Sequence, residues 1–331
     1  MNYIMQEREN ESHVPAPVRQ EHERKSPGVH KPNALPWAAM ACSVAALCLS
    51  IGALVITLPK DEPEPIEAPE PAVEAYSPEE YITYKEHQLP LEEELAVSAW
   101  DHTGFTMDES GWLSYESGGV TALRGIDVSS HQGEIDWKAV AKSGVDFAMI
   151  RAGYRGYGEE GRLLSDERFH QNMKGALEAG LDVGVYFFSQ AINVWEAEEE
   201  ARLVLESLAE YEVRFPVVFD WERISGGNAR TDEVAGKSIA LMARAFCGLV
   251  KQAGYTPGVY FNQNLGYLSL DLAELDGCVF WLAEYDQRPD FYYHADLWQY
   301  SSTGTVPGID TPVDLNLSYR DFGAAQTADA P

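Results

Sequence analysis

The chain of 331 residues carries 24 Lys plus Arg against 53 Asp plus Glu, a formal charge of −29 at neutral pH. That length suits one barrel-sized domain with appendages, and that acidity argues against nucleic acid and against attraction to anionic wall polymers, because like charges repel. Hydrophobic residues make up 45% and cysteines number only four, so stability must come from a packed core rather than a disulfide framework.

In chain order, residues 1–34 are polar and hold Arg8, Arg19, Arg24, Lys25 and Lys31. Residues 35–58 contain no charged side chain, and about 20 apolar residues suffice to cross a bilayer. Lys60 is the one base close behind, ahead of Asp61, Glu62, Glu64 and Glu67. Bases on the leading side place the N-terminus in the cytoplasm and the rest outside. The leader is long and no small-x-small cleavage site follows, so a retained single-pass membrane anchor is expected rather than a cleaved signal peptide. Residues 59–80 are rich in Pro and Glu, which makes them an extended linker reaching on the order of 60 Å at ~3 Å per residue. Residues 81–123 alternate polar and aromatic pieces, as in Gly111-Trp112-Leu113-Ser114-Tyr115, and read as a small hairpin extension.

From Arg124 a β-then-α rhythm sets in. Ile126 to Val128 precedes a helix from Asp136 to Ser143, and Val145 to Arg151 precedes one from Ser165 to Ala179. Val183 to Ser189 leads to a helix that Asn193 and Glu196 open as a capping box. Phe215 to Glu222 leads to a helix from Thr231 to Ala253, and Gly258 to Asn262 follows. Each parallel return needs such a crossover. The later strands, Cys278 to Tyr285, Leu297 to Ser301 and Val313 to Leu317, are too closely spaced for full helices between them. The expected fold is α/β, a modified (β/α)5(β)3 barrel over 124–323, with a tail at 324–331.

Asp220 and Glu222 end the fourth strand one residue apart, so both point to one face, roughly 6–7 Å apart at the backbone. Such a pair alone is more often a solvated strand end. Here Asp127 ends another strand, and Asn262 and Asp286 stand at two more, where parallel barrels keep their working groups. Two neighbouring acids push each other's pKa values apart, which is what glycosidic cleavage needs of its proton donor and its charge-bearing partner. Trp137, Tyr154, Tyr186, Trp281, Tyr285 and Trp298 lie near strand ends, where rings stack on sugars or fill the core. His131 has no nucleophile elbow beside it. Gly153, Gly156 and Gly158 miss the dinucleotide pattern and read as a loop over the groove. No His or acid spacing suggests a metal, and no cofactor is needed.

In that order, RGIDVSSHQGEIDW, VDFAMIRAGYRGYG, VGVYFFSQA, FPVVFDWE, GVYFN, FWLAEY and LWQYSSTGTVPGIDTPVDLN resemble the glycoside hydrolase family 25 lysozymes, the Chalaropsis-type muramidases. The resemblance covers about Arg124 to Phe322. It implies a modified β/α barrel that acts as an N-acetylmuramidase, cutting the β-1,4 bond between N-acetylmuramic acid and N-acetylglucosamine in peptidoglycan; with the span at 35–58 the enzyme is expected to be membrane-anchored, and a monomer. By matching motif Glu222 is the general acid and Asp220 its partner, Asp127 and Asp314 are further active-site carboxylates, and Tyr186 is the active-site tyrosine. Tyr154, Asn262, Trp281, Tyr285 and Trp298 complete the expected sugar contacts. After Tyr186 the chain reads Phe187-Phe188-Ser189-Gln190 where relatives often carry a histidine. A Cys247–Cys278 bridge stays open. Two other readings are a barrel that binds glycan without turnover and a chitinase-like hydrolase. The intact acids oppose the first; Phe215 and Val218, where chitinases of that kind place further acids, oppose the second.

Overall fold

The computed structural model describes residues 80–323 apart from 225 and 276. The tail at 1–34, the apolar span at 35–58, nearly all of the linker at 59–80 and the end at 324–331 lie outside the described residues. Among those described, no helix is long and apolar enough to cross a membrane.

The extension forms a hairpin, β1 (Tyr81–Tyr84) with β2 (His87–Pro90), and a small antiparallel sheet of β3 (Phe105–Met107), β4 (Leu113–Ser117) and β5 (Val120–Thr121). The barrel follows. Its strands are β6 (Leu123–Val128), β7 (Phe147–Arg155), β9 (Asp182–Ser189), β10 (Val217–Trp221), β11 (Pro257–Asn262), β12 (Val279–Ala283), β13 (Leu297–Gly304) and β14 (Val313–Ser318), with β8 (Leu163–Ser165) at the side. Helices α1 (Trp137–Lys142), α2 (Phe169–Glu178), α3 (Val194–Leu208), α4 (Gly236–Gln252) and α5 (Gln263–Leu268) follow successive barrel strands. From β6 to β13 the barrel pairs are parallel; β14 is antiparallel to β13 and to β6, and this last pairing closes the ring. Thus five strands carry helices and three do not, as the spacing requires.

Strand alternation sorts the residues into two cores. Phe147, Met149, Phe215, Val218, Trp281 and Leu297 fill the inside of the barrel, while Ile126, Val217, Phe219, Phe246 and Trp298 pack between strands and the outer layer. Phe147 enters because Gly125 opposite has no side chain; any Cβ there would overlap the ring. Where β12 to β14 lack helices, the extension supplies the missing outer wall. Trp100 stacks on Tyr319 with ring centroids 3.4 Å apart, Phe105 meets Trp298 edge-on, and the Leu113 amide donates to the Tyr300 hydroxyl. Large aromatic side chains buried this way contribute about 1.5–3 kcal/mol each.

Four local expectations shift. The fourth helix begins at Gly236 rather than Thr231, because Arg223 donates to the carbonyls of Thr231, Asp232 and Val234 and holds 231–235 out of the helix. Leu163–Ser165 pairs antiparallel with Gly153–Arg155, so this glycine-containing stretch is partly strand and the helix starts at Phe169. Asn193 caps α3, but Glu196 reaches back to the Ile192 amide and to Arg230 rather than to the cap's own N–H. Trp137 is buried at the start of α1, its indole filling the space at Gly175 of α2, away from any sugar. Cys247 and Cys278 are free thiols in hydrogen-bond contact.

Candidate active site

The inward positions near the C-terminal ends of β6, β7, β9, β10, β11, β12 and β13 are Asp127, Arg151, Tyr186, Asp220, Tyr260, Trp281 and Gln299, and β14 adds Asp314 and Asn316. Below them the barrel is apolar, so the polar ring is one layer at the mouth.

Asp127 is 5% exposed and sits directly opposite Asp314 in the β6–β14 pairing. Cross-strand neighbours of this kind bring their Cβ atoms within about 5.5 Å, and here the two carboxyls hydrogen bond to each other. Asp127 Oδ2 also accepts from Gln299 Nε2 at 2.9 Å and Asn316 Nδ2 at 2.8 Å. Burial pushes Asp127 up to about 6, with these donors pulling the other way. Burial, the Asp127 charge and the bond to it push Asp314 up to about 9.

Asp220 is buried, and Glu222 beside it is partly so. Loss of water raises Asp220 well above the usual carboxylate range, and Glu222 and Asp127 raise it further, against the nearby Arg151 guanidinium. Glu222 is pushed up to about 7, chiefly by burial and also by Asp127. Its backbone carbonyl accepts from Gln190 Nε2 at 2.7 Å, and Gln190 in turn accepts from Thr231 Oγ1, which fixes the strand end that carries the acid. The carboxyl is therefore poised to hold a proton near neutrality and to release it.

The expected sugar contacts divide. Tyr285 has 57% of its surface exposed while its hydroxyl donates to Gln299 Oε1, a rigid open ring at the rim. Tyr186 is half-buried, edge-on to Trp281, and Tyr154 is half-buried beneath the Arg151 guanidinium. Trp298 points the other way: it is fully buried outside the barrel wall, and its indole N–H donates to the Glu284 carbonyl, so no sugar reaches it. Trp281 is 1% exposed inside the barrel and donates to Asn316 Oδ1, so it supports the site rather than presenting a face. Asn262 is exposed, and its side chain caps α5 by accepting from the Leu265 amide. Asp286 is exposed in a loop and accepts from the Gln287 amide.

Arg151, Tyr260, Gln299 and Asn316 are the members that sequence reasoning missed. Asn316 carried a usable signal: it follows Asp314 by two residues, the same spacing that singles out Asp220 and Glu222. Among the described residues, no group of three or more His, Cys, Asp or Glu is arranged to hold a metal ion.

Four acids at the mouth of a closed β/α barrel, with Glu222 pushed up to about 7, suit the acid chemistry of glycoside hydrolysis. Residues 126–309, more than half the chain, match the family model of glycosyl hydrolases family 25, and the chain belongs to that family. The Escherichia coli protein YegX is 34% identical over 204 residues, covering 59% of this chain and 69% of its own. Lysozyme M1 of Streptomyces globisporus is 27% identical over 209 residues, covering 60% of this chain and 68% of that protein. The autolytic lysozyme of Clostridium acetobutylicum is 27% identical over 200 residues, and the match spans 55% of its length. Among solved structures, the modular autolysin LytC from Streptococcus pneumoniae in complex with a synthetic peptidoglycan ligand superposes with a TM-score of 0.54 at 24% identity, over 68% of this chain and 58% of that one. The family 25 glycosyl hydrolase from Bacillus anthracis gives 0.53 at 22% identity, over 65% and 96%. These two likenesses concern the fold.

Proposed function

We propose that this protein is a Chalaropsis-type N-acetylmuramidase, cutting the β-1,4 bond between N-acetylmuramic acid and N-acetylglucosamine in peptidoglycan. The observation that carries the reading is the placement of Glu222, with its carboxyl pushed up to about 7, beside Asp220, Asp127 and Asp314 at one barrel mouth. Family membership and the two related lysozymes support the substrate class.

In this mechanism Glu222 gives its proton to the leaving glycosidic oxygen. Asp220 steadies the substrate's own N-acetyl group as its oxygen attacks the anomeric carbon, so water then opens a cyclic intermediate and the β configuration is retained. The exposed ring of Tyr285 stacks on a sugar face, and Tyr186 and Tyr154 line the approach. The charge-free span at 35–58, with bases ahead of it and acids behind, supports a single-pass anchor with the barrel outside the cell. The unit acts as a monomer on glycan strands.

The test is digestion of purified peptidoglycan by the full chain in detergent, with identification of the new reducing sugar. Muramic acid at the reducing end supports the reading. Glucosamine there makes the enzyme a glucosaminidase, and binding without product makes the barrel a glycan-binding module.

A further inference from the structure

The Asp127–Asp314 pair is surrounded by a hydrogen-bond network whose direction is fixed from outside. Trp281 Nε1 is a donor with no acceptor capacity, and it lies 2.9 Å from Asn316 Oδ1. The Asn316 amide therefore turns its oxygen to Trp281 and its NH2 group to Asp127. On the other side Gln299 Nε2 donates to the same oxygen of Asp127, while its Oε1 accepts from the Tyr260 and Tyr285 hydroxyls at 3.0 Å. Asp127 Oδ2 thus faces two donors and is held as an acceptor. A hydrogen bond between two carboxyls needs one proton, and because the two donors favour the charged form of Asp127 that proton is assigned to Asp314.

Resting on the muramidase reading above, we propose that Gln299 and Asn316 are positioning residues for the hydrolysis: they hold Asp127 as the charged member of a one-proton pair with Asp314, and that fixed charge keeps Glu222 protonated. The groups facing Asp127 are Asp314 on β14, Asp220 and Glu222 at the end of β10, Tyr186 on β9, Tyr260 on β11 and Tyr285 after β12; Arg151 on β7 joins this ring through Asp220 and Tyr186. Of these Arg151 alone is cationic, and it is engaged by Asp166 at 2.9 Å. Glu222 faces Asp127, Asp220, Asp314, Tyr260 and Tyr285. No Lys, Arg or His side chain is in that set, and the Asp127 charge raises the proton affinity of Glu222 beyond what burial does. Removing a donor from Asp127 raises its affinity for a proton. Once the pair takes up that second proton it is neutral, Glu222 loses a negative neighbour, and its own proton leaves at lower pH.

The experiment replaces the amide by a side chain of similar length without donors, Gln299→Met, in the full chain. The alkaline limb of the kcat/KM profile on peptidoglycan is expected to move down by about half to one pH unit; KM can rise as well, because Tyr285 loses its bond to Gln299, and the shift of the limb rather than KM is the readout. Carboxyl 13C NMR gives a readout independent of turnover. In the parent protein at pH 7.5, Asp314 should resonate as a protonated carboxyl, a signal lost in Asp314→Asn, while Asp127 resonates as ionised. In Gln299→Met the Asp127 midpoint should rise by about one unit. An unmoved alkaline limb in folded Gln299→Met, or a parent spectrum with both acids ionised at pH 7.5, overturns the proposal. If Gln299→Met does not fold, the parent spectrum decides. A parent enzyme that yields no muramic acid end overturns the functional reading instead, and the NMR titration still reports on the pair.

Discussion

Substituting Glu222 by Gln tests the division of labour at the mouth of the barrel. Burial and the Asp127 charge move this carboxyl from the usual 4.5 to about 7. At pH 7 about half of the molecules therefore hold the proton, whereas an unperturbed glutamate would hold it in roughly one of three hundred. The environment alone thus supplies about two orders of magnitude in competent enzyme. General acid catalysis is worth about 10²- to 10⁴-fold, so Glu222→Gln should lower kcat on peptidoglycan by that factor, about 3–5 kcal/mol. The assay is release of reducing ends between pH 5 and 9, beside a chromogenic glycoside whose phenolic leaving group departs without help. The parent rate on glycan should fall about tenfold per unit above pH 7, since the proton donor is ionising. The variant should show no such limb, and the chromogenic glycoside should recover much of the loss. A parent limb near pH 5, equal loss on both substrates, or a limb that survives in Glu222→Gln would refute the assignment of the proton donor.

Asp220→Asn should slow both kinds of substrate by at least about a hundredfold, because charge support is needed whatever leaves; fresh product seen by NMR in the α form would mean direct attack by water and make Asp220 a general base. Stability should fall with rising pH. The folded-state values of Asp127, Glu222 and Asp314 are raised to about 6, 7 and 9, so the native state binds more protons than the unfolded chain between about pH 4 and 9, and the stabilisation present below pH 4 is lost across that window. Thermal unfolding at pH 5, 7 and 9 checks this, and a midpoint that rises with pH contradicts it. Trp100→Ala removes the stack on Tyr319 that anchors the extension and should cost about 2–3 kcal/mol in urea unfolding; an unchanged midpoint would mean that the extension lends the barrel no stability. For topology, protease added to wall-stripped cells should remove the barrel and spare residues 2–31, whereas a protein released with its N-terminus near Lys60 contradicts the anchor.

The sequence determined the barrel because crossover order is local information. Apolar runs that end in glycines and capping residues specify each β and α piece, and the short gaps after Cys278 specify that the last strands lack helices. It also determined the acids, since a two-residue spacing on a strand places Asp220 and Glu222 on one face without reference to anything distant. Tertiary structure decided which face of each later strand looks inward. Trp281 and Trp298 read alike in the chain, yet they lie on strands of different register, so one supports Asn316 inside the barrel and the other packs against Phe105 outside it. The pairing of Asp127 with Asp314 spans nearly the whole barrel sequence and exists only because the ring closes between β6 and β14. The roles of Gln299 and Asn316 arise from that closure, because an amide's orientation is set by donors that arrive from three other places in the chain. The extension found its purpose for the same reason: alternating aromatics do not name their partner, and the bare outer faces of β13 and β14 supply it.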